Sequence, residues 1–315
     1  MGILKSNCHC GQRPATQFRQ YMESKNHAKT TQKAYLKSVA VFLKWYKQDP
    51  VNCSKKDILN FLSYLKDNTK QQNISRRNIC IALNHYFTAL LQAGMVSHNP
   101  AAFIKIQGAN RKRLYKIYTP DELAQLADNF YVVFITGFDD SHLDKSKKQV
   151  SFLSRHRNYA MLTFLLFQGL PTNELTQINI NNIDLKKARL TLKNRILPIQ
   201  AAQMGTLIHY INNIRPLLID ICGETDKLFF SLSADQYDKT FSKPLRKLTK
   251  QVKSIDHNFV NFSQTRSSVI THWIQTEGLR KAQYLAGHKN ITATENYLPN
   301  DLNSLINEIQ KFNPF

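Results

Sequence analysis

Apolar residues recur along most of the chain at steps of three and four, a spacing that predicts a mainly helical protein. Helices are expected over 16–25 and, after Lys29-Thr30-Thr31, on to about Lys47, with Tyr35, Val39, Phe42, Leu43 and Tyr46 sharing one face of the second. Ser54-Lys55-Lys56-Asp57 reads as a capping box ahead of Ile58, Phe61, Leu62 and Leu65. Ser75 is expected to open a fourth helix from Arg76 to Ala93, with Ile79, Leu83, Tyr86, Phe87 and Leu90 inward and Gly94 as its stop. Asn99-Pro100 ends that stretch. Residues 15–107 thus read as one four-helix unit, preceded by a loose basic tail over 1–14.

Residues 108–118, with the small Gly108-Ala109 ahead of Arg111-Lys112-Arg113, read as a linker. Thr119-Pro120-Asp121-Glu122 then carries a hydroxyl cap, a first-turn proline and acids at the positive helix end, marking entry to a second domain over 119–315. The polar run 137–150 predicts a loop. An apolar helix follows from Ser154 to Gln168 with Tyr159, Leu162, Leu165 and Leu166 inward, a turn at Gly169-Leu170, and another helix over Thr172–Ile178. Ile183–Leu185, Arg189–Leu192 and Ile196–Ile199 read as short strands, the last two joined at Lys193-Asn194-Arg195. Further helices are expected at Ala202–Asn213, Ala234–Lys253 and Arg266–Thr276, with Trp273 and the later Tyr284 as core residues. Asn300-Asp301 caps a last helix whose Leu302, Leu305, Ile306 and Ile309 form a stripe. That stripe suits its own domain or a neighbouring protomer.

Composition changes the picture in one direction. Against 22 acidic residues stand 43 Lys and Arg, a net charge of +21, spread along the length. Such an excess calls for an acidic partner, and nucleic acid is the default. Lys29, Lys33 and Lys37 line up at four-residue steps, which suits either a solvated face or a DNA-facing one. No apolar run approaches the roughly 18 residues of a spanning helix, so no membrane role is expected. The polar first 14 residues predict no secretory leader. Five scattered cysteines read as reduced thiols of a cytoplasmic protein; Cys8-His9-Cys10 lacks a second ligand pair at zinc-like spacing and reads as tail.

Candidate chemistry gathers near the C-terminus. Arg266 lies in Thr265-Arg266-Ser267-Ser268, Gly287-His288 follows about two helices later, and Tyr297 stands nine residues beyond His288. A phenol attacks a phosphodiester only if the phosphorus oxygens are neutralised, and arginine does this best because its planar fork bonds two at once. A histidine adds a hydrogen bond or moves a proton. This ordered set resembles the C-terminal motifs of tyrosine recombinases, the phage-integrase family, and in detail the integrases of mobile elements in Bacteroidetes-type bacteria. The resemblance implies an N-terminal four-helix, SAM-like core-binding domain plus a C-terminal catalytic domain that is mainly α with a small β-sheet. It implies strand cutting and rejoining through a 3′-phosphotyrosyl link, without metal or nucleotide. It further implies double-stranded DNA as partner, a homo-oligomer, tetrameric in synapsis, assembled on that DNA, and a place in the bacterial cytoplasm. Carried over, Tyr297 is the nucleophile, Arg266 the second active-site arginine, and His288 the group that steadies the phosphate. Lys193 matches the lysine that protonates the leaving 5′ oxygen, a site for which Arg195 competes. Lys33, Lys37, Arg76, Arg111 and Arg195 are the expected DNA contacts.

The pattern breaks twice. The family's first motif, approximately Gly-Leu-Arg, two residues, Glu-Leu, stands here as Gly169-Leu170-Pro171-Thr172-Asn173-Glu174-Leu175. Proline offers no cation and no donor, though a helix's first turn tolerates it, so the substitution spares the fold and removes a chemical group. Ser263 stands where the family often has histidine, and a serine cannot shuttle protons at neutral pH. A lost transition-state arginine costs on the order of 10³ to 10⁵ in rate. Arg157, about 20 Å back along a continuous helix, is too far to compensate; Arg195 and Lys193 are better placed, and each also suits a plain backbone-phosphate contact. Two functions remain open at this level: a working recombinase, for which Pro171→Arg should raise cleavage by orders of magnitude if the cation is missing, and a cleavage-deficient DNA-binding protein.

Overall fold

The apolar stripes close into two separate cores, one in each of two units, residues 1–113 and 114–315. The structure, a computed structural model, describes residues 14–108, 116–231 and 241–298. The tail with its cysteines, Arg111 in the linker, the expected helix start at Ala234 and the terminal stripe from Leu302 all lie outside the described residues.

In the first unit, helices α1 (Pro14–Ser24), α2 (Lys29–Tyr46), α3 (Lys55–Asp67) and α4 (Asn73–Gln92) share one core of Phe18, Met22, Phe42, Phe61, Tyr86 and Phe87. The box at α3 forms as read: the Ser54 side chain accepts from the Asp57 amide and the Asp57 carboxylate takes the Ser54 amide. Helix α4 begins two residues before Ser75, the expected cap, after Gln72, with no capping side chain. Its packing against α1, α2 and α3 replaces the local signal.

The second unit opens with α5 (Pro120–Tyr131), where Thr119 and Glu122 form a second capping box. Its centre is α6 (Lys145–Phe167), nine residues longer at its start than expected, because Asp144 caps the Lys147 amide and the first two turns are polar. From Arg157 to Leu166 every residue of α6 is buried, the mark of a helix covered on all sides. Helix α7 is a single turn (Thr172–Leu175) rather than a helix to Ile178, and Pro171 sits one position outside it, as an extended N-cap at φ −64 and ψ 143. Strands β1 (Ile183–Asp184), β2 (Arg189–Leu192) and β3 (Arg195–Pro198) form an antiparallel sheet in the order β1-β2-β3. Leu192 pairs with Arg195, so the turn is Lys193-Asn194 and Arg195 belongs to the strand.

Helix α8 (Ala201–His209) runs through a π-type turn, Tyr210–Ile214, into α9 (Arg215–Cys222), which the expected helix to Asn213 did not include. Then come α10 (Ser242–Ile255), α11 (Phe262–Ala286) and α12 (Ile291–Glu295). Capped by Asn261, α11 starts four residues before the expected Arg266, and Gly278, at φ 78 and ψ 163, kinks it into two segments. Trp273 packs against the core as read, whereas Tyr284 is half exposed and not a core residue.

Candidate active site

Two tight turns position the groups around Arg266. Gly169, at φ +54, leaves room for α11 beside it, where a Cβ would press on Val269 and the Arg266 backbone. Gly287 ends α11 in the left-handed conformation, its amide bonding back to the helix. Arg266 joins these turns: Nη1 donates to the Gly169 carbonyl at 2.7 Å, and Nη2 to the Ala286 carbonyl at 2.8 Å and to His288 Nε2 at 3.2 Å. Arginine only donates, so His288 Nε2 accepts and the ring proton sits on Nδ1, 2.9 Å from the Thr294 hydroxyl. Burial, then Arg266 and Arg195, hold the His288 imidazole below its ordinary pKa, which keeps it neutral at physiological pH.

Tyr297 stacks on His288, the rings 5.7 Å apart and 13° from parallel. Burial lowers the Arg266 guanidinium from its ordinary value; the charge and hydrogen bond of the Tyr297 phenol and the carboxylate of Glu174 oppose that, and Arg195 adds to it. The phenol, two guanidiniums and one imidazole therefore occupy a single electrostatic site.

Arg195 enters that site from β3. Its Nη1 and Nη2 donate to Glu174 Oε1 and Oε2 at 2.9 and 2.6 Å, a two-pronged ion pair with the Arg195 side chain buried. Among the described residues its buried Nε–H has no hydrogen-bond partner. The guanidinium lies against Gly287, where a Cβ of any other residue would run into it. Glu174, three residues beyond Pro171 in the quoted motif, has no role assigned to it by sequence alone. Its spacing from Pro171 is visible in the sequence; its partner is not.

The other expected residues are placed as follows. Lys193 is exposed on the two-residue turn. Pro171 and exposed Ser263 line a cleft of about 490 Å³ with Arg266 and with Arg246 of α10. Sequence reasoning missed Arg246, although Lys243, Arg246, Lys247, Lys250 and Lys253 recur at helical steps and all are exposed. Arg157 is buried, donating to the Phe230 carbonyl at 2.9 Å and to Asn158, so it is structural. Lys33 and Lys37 are exposed on α2. Arg76 is half-buried and taken up within its unit, its Nη1 donating to the Leu62 carbonyl at 3.3 Å and its Nη2 to Asn73 at 2.7 Å. Among the described residues no cluster of three His, Cys, Asp or Glu fits a metal ion, and no helix is long and apolar enough to cross a membrane.

A sequence model described as the phage integrase family matches residues 143–303, and one for the phage integrase N-terminal SAM-like domain matches 15–95. The chain belongs to the phage integrase family. Among its relatives, a tyrosine recombinase XerD of Oceanobacillus iheyensis is 27% identical over 304 residues, covering 94% of this chain and 88% of the relative. A TnP I resolvase of Bacillus thuringiensis is 24% identical over 301 residues, 91% of this chain and 96% of that one. The fold is shared with the XerH site-specific recombinase bound to a palindromic difH substrate, at TM-score 0.66, 15% identity and coverage of 94% and 84%. It is shared also with the Tn1549 transposon integrase in complex with transposon right end DNA, at TM-score 0.62, 15% identity and coverage of 95% and 98%.

Proposed function

We propose that this protein is a site-specific recombinase that cuts and rejoins double-stranded DNA through a 3′-phosphotyrosyl intermediate, acting as a DNA-assembled homo-oligomer in the bacterial cytoplasm. The observation that supports this reading is that His288 stacks on Tyr297 and bonds Arg266, with Arg195 in the same electrostatic neighbourhood. The Tyr297 oxygen attacks the scissile phosphorus as its phenolic proton passes to water, the bond to the 5′ oxygen breaks, and the leaving oxygen takes a proton from the Lys193 ammonium, which water then restores. The freed 5′-hydroxyl of another strand reverses the step and rejoins the DNA. Arg266 and Arg195 neutralise the phosphoryl oxygens, and His288, whose Nε2 accepts from Arg266, holds that guanidinium in place.

In this reading Arg195 takes the place of the arginine that Pro171 replaces. Glu174 orients its fork, and the Arg195 charge acts on the site beside Arg266 and His288. That placement counts against a cleavage-deficient DNA-binding protein. The exposed basic rows of α2 and α10 supply backbone contacts.

The test is incubation with a nicked suicide substrate. A covalent protein–DNA band should form with the unaltered protein and vanish with Tyr297→Phe. Duplex binding without a band would reinstate the cleavage-deficient alternative.

A further inference from the structure

Strand β3 is an edge of the sheet, so alternate N–H groups along it have no ladder partner. At Ile196 that free N–H is taken by the Tyr284 hydroxyl, at 3.0 Å, from a residue 88 positions away. Tyr284 lies beyond the Gly278 kink of α11, three residues before Gly287 and four before His288. Tyr284 is 50% exposed, more than a core-packing role would give, and its hydroxyl contacts the hairpin backbone.

The hairpin is therefore tied to one corner of the site at two adjacent residues: Arg195 by its guanidinium against Gly287, and Ile196 by its amide on Tyr284. Lys193 is two and three residues from these anchors, on the exposed turn. A lysine ammonium is a point charge on a flexible stem, so where it can reach depends on where the backbone below it is held. Arg195 needs no such help, because Glu174 locks its fork.

We propose that Tyr284 is a positioning residue for strand cleavage: its hydroxyl pins the free edge of β3 and so holds the Lys193 turn over the leaving 5′ oxygen. This rests on the recombinase reading above, in which the proton for that oxygen comes from the Lys193 ammonium. Without the pin the hairpin retains its ladder to β2 and the Arg195–Glu174 ion pair, but its edge loosens at Ile196 and the Lys193 turn with it, so proton delivery suffers while phosphate neutralisation does not.

Two measurements on the full chain separate the possibilities. The first compares Tyr284→Phe with the unaltered protein on a nicked duplex carrying either an ordinary 5′ oxygen at the scissile bond or a bridging 5′ sulfur, which leaves as thiolate and needs no proton. General acids contribute about 10²- to 10⁴-fold, so partial misplacement of one should slow cleavage of the oxygen substrate at least about tenfold. Cleavage of the sulfur substrate should stay close to that of the unaltered protein, and duplex affinity should not change. Equal slowing on both substrates, or none on either, overturns the role of Tyr284. The second follows amide hydrogen exchange at Ile196, protected in the unaltered protein and expected to exchange faster in Tyr284→Phe; unchanged exchange overturns the pin itself, whatever the activity. A protein whose exchange changes as expected but which cleaves neither substrate, even unaltered, would overturn the recombinase reading and the catalytic consequence of the pin, leaving only the hydrogen bond.

Discussion

Arg195 carries its charge in a pocket that already holds Arg266, and Glu174 makes that arrangement tolerable. Like charges in one pocket repel, Arg195 helping to lower the Arg266 guanidinium, and Glu174, bonded to both prongs of Arg195, offsets that repulsion. Glu174→Gln should accordingly destabilise the protein by roughly 3 kcal/mol, the usual consequence of leaving a buried charge unpaired, read from urea unfolding. Added duplex should recover part of that loss, because a phosphate replaces the missing anion; no recovery would mean that DNA does not reach Arg195. Arg195→Lys tests the same residue from the chemical side. It keeps the charge and loses the fork, and covalent trapping should fall by about 10³, the scale of a transition-state arginine. With Arg195 in this position Pro171→Arg should change trapping little, in contrast to the large gain expected of a site without that cation. A large gain would show that Arg195 does not fill the gap.

At the scale of elements, several packed pairs carry ionisable groups that the chemistry does not use. His156 of α6 and His209 of α8 face each other with ring centres 5.0 Å apart, beside Phe152. Burial, then His209 and Arg155, push the His156 imidazole down to about 4 from its ordinary 6.5. The unfolded chain therefore takes up this proton first as the pH falls, so the contribution of His156 to stability is present above about pH 6.5 and lost progressively toward about pH 4. His85 and His288, also lowered by burial first, act in the same direction. His156→Leu should flatten the acid side of the profile of urea midpoint against pH without abolishing it. An unchanged profile would show that His156 is not protonated on unfolding in that range. The elements themselves were legible to different degrees. The boxes at Ser54 and Thr119 state their helices locally, because cap and partner lie three residues apart. The early start of α4 was not legible, since it has no capping side chain and its stability comes from partners distant in sequence, while the polar first turns of α6 hide its start from periodicity although Asp144 caps it locally.

For the whole molecule the governing quantity is charge. A net +21 on 315 residues, with exposed Lys33 and Lys37 on α2 and five exposed basic residues on α10, predicts duplex binding that weakens steeply with salt through counterion release. Reversing Lys33 and Lys37 together should weaken binding about equally for all sequences and reduce the slope of log affinity against log salt by roughly 0.9 for each phosphate no longer neutralised. A slope that does not change would remove α2 from the interface.

By itself the sequence determined the helical class with its small sheet and the family, and singled out Tyr297 as the candidate nucleophile. Each of these is written in short-range patterns: apolar period, cap spacing, and the ordered residues from Arg266 to Tyr297. It also exposed the missing arginine, because Pro171 falls inside a quoted motif. Only the tertiary structure decided where the candidate cations lie. The sequence already favoured Arg195 over the more distant Arg157, and the structure buries Arg157 against Phe230 while Arg195 crosses from β3 to Glu174 and Gly287. It likewise turned Tyr284 from an expected core residue into a ligand of the hairpin edge. Both outcomes depend on contacts between residues 21 to 92 positions apart in the chain, where side-chain direction and close approach are set by packing and leave no periodic trace in the sequence.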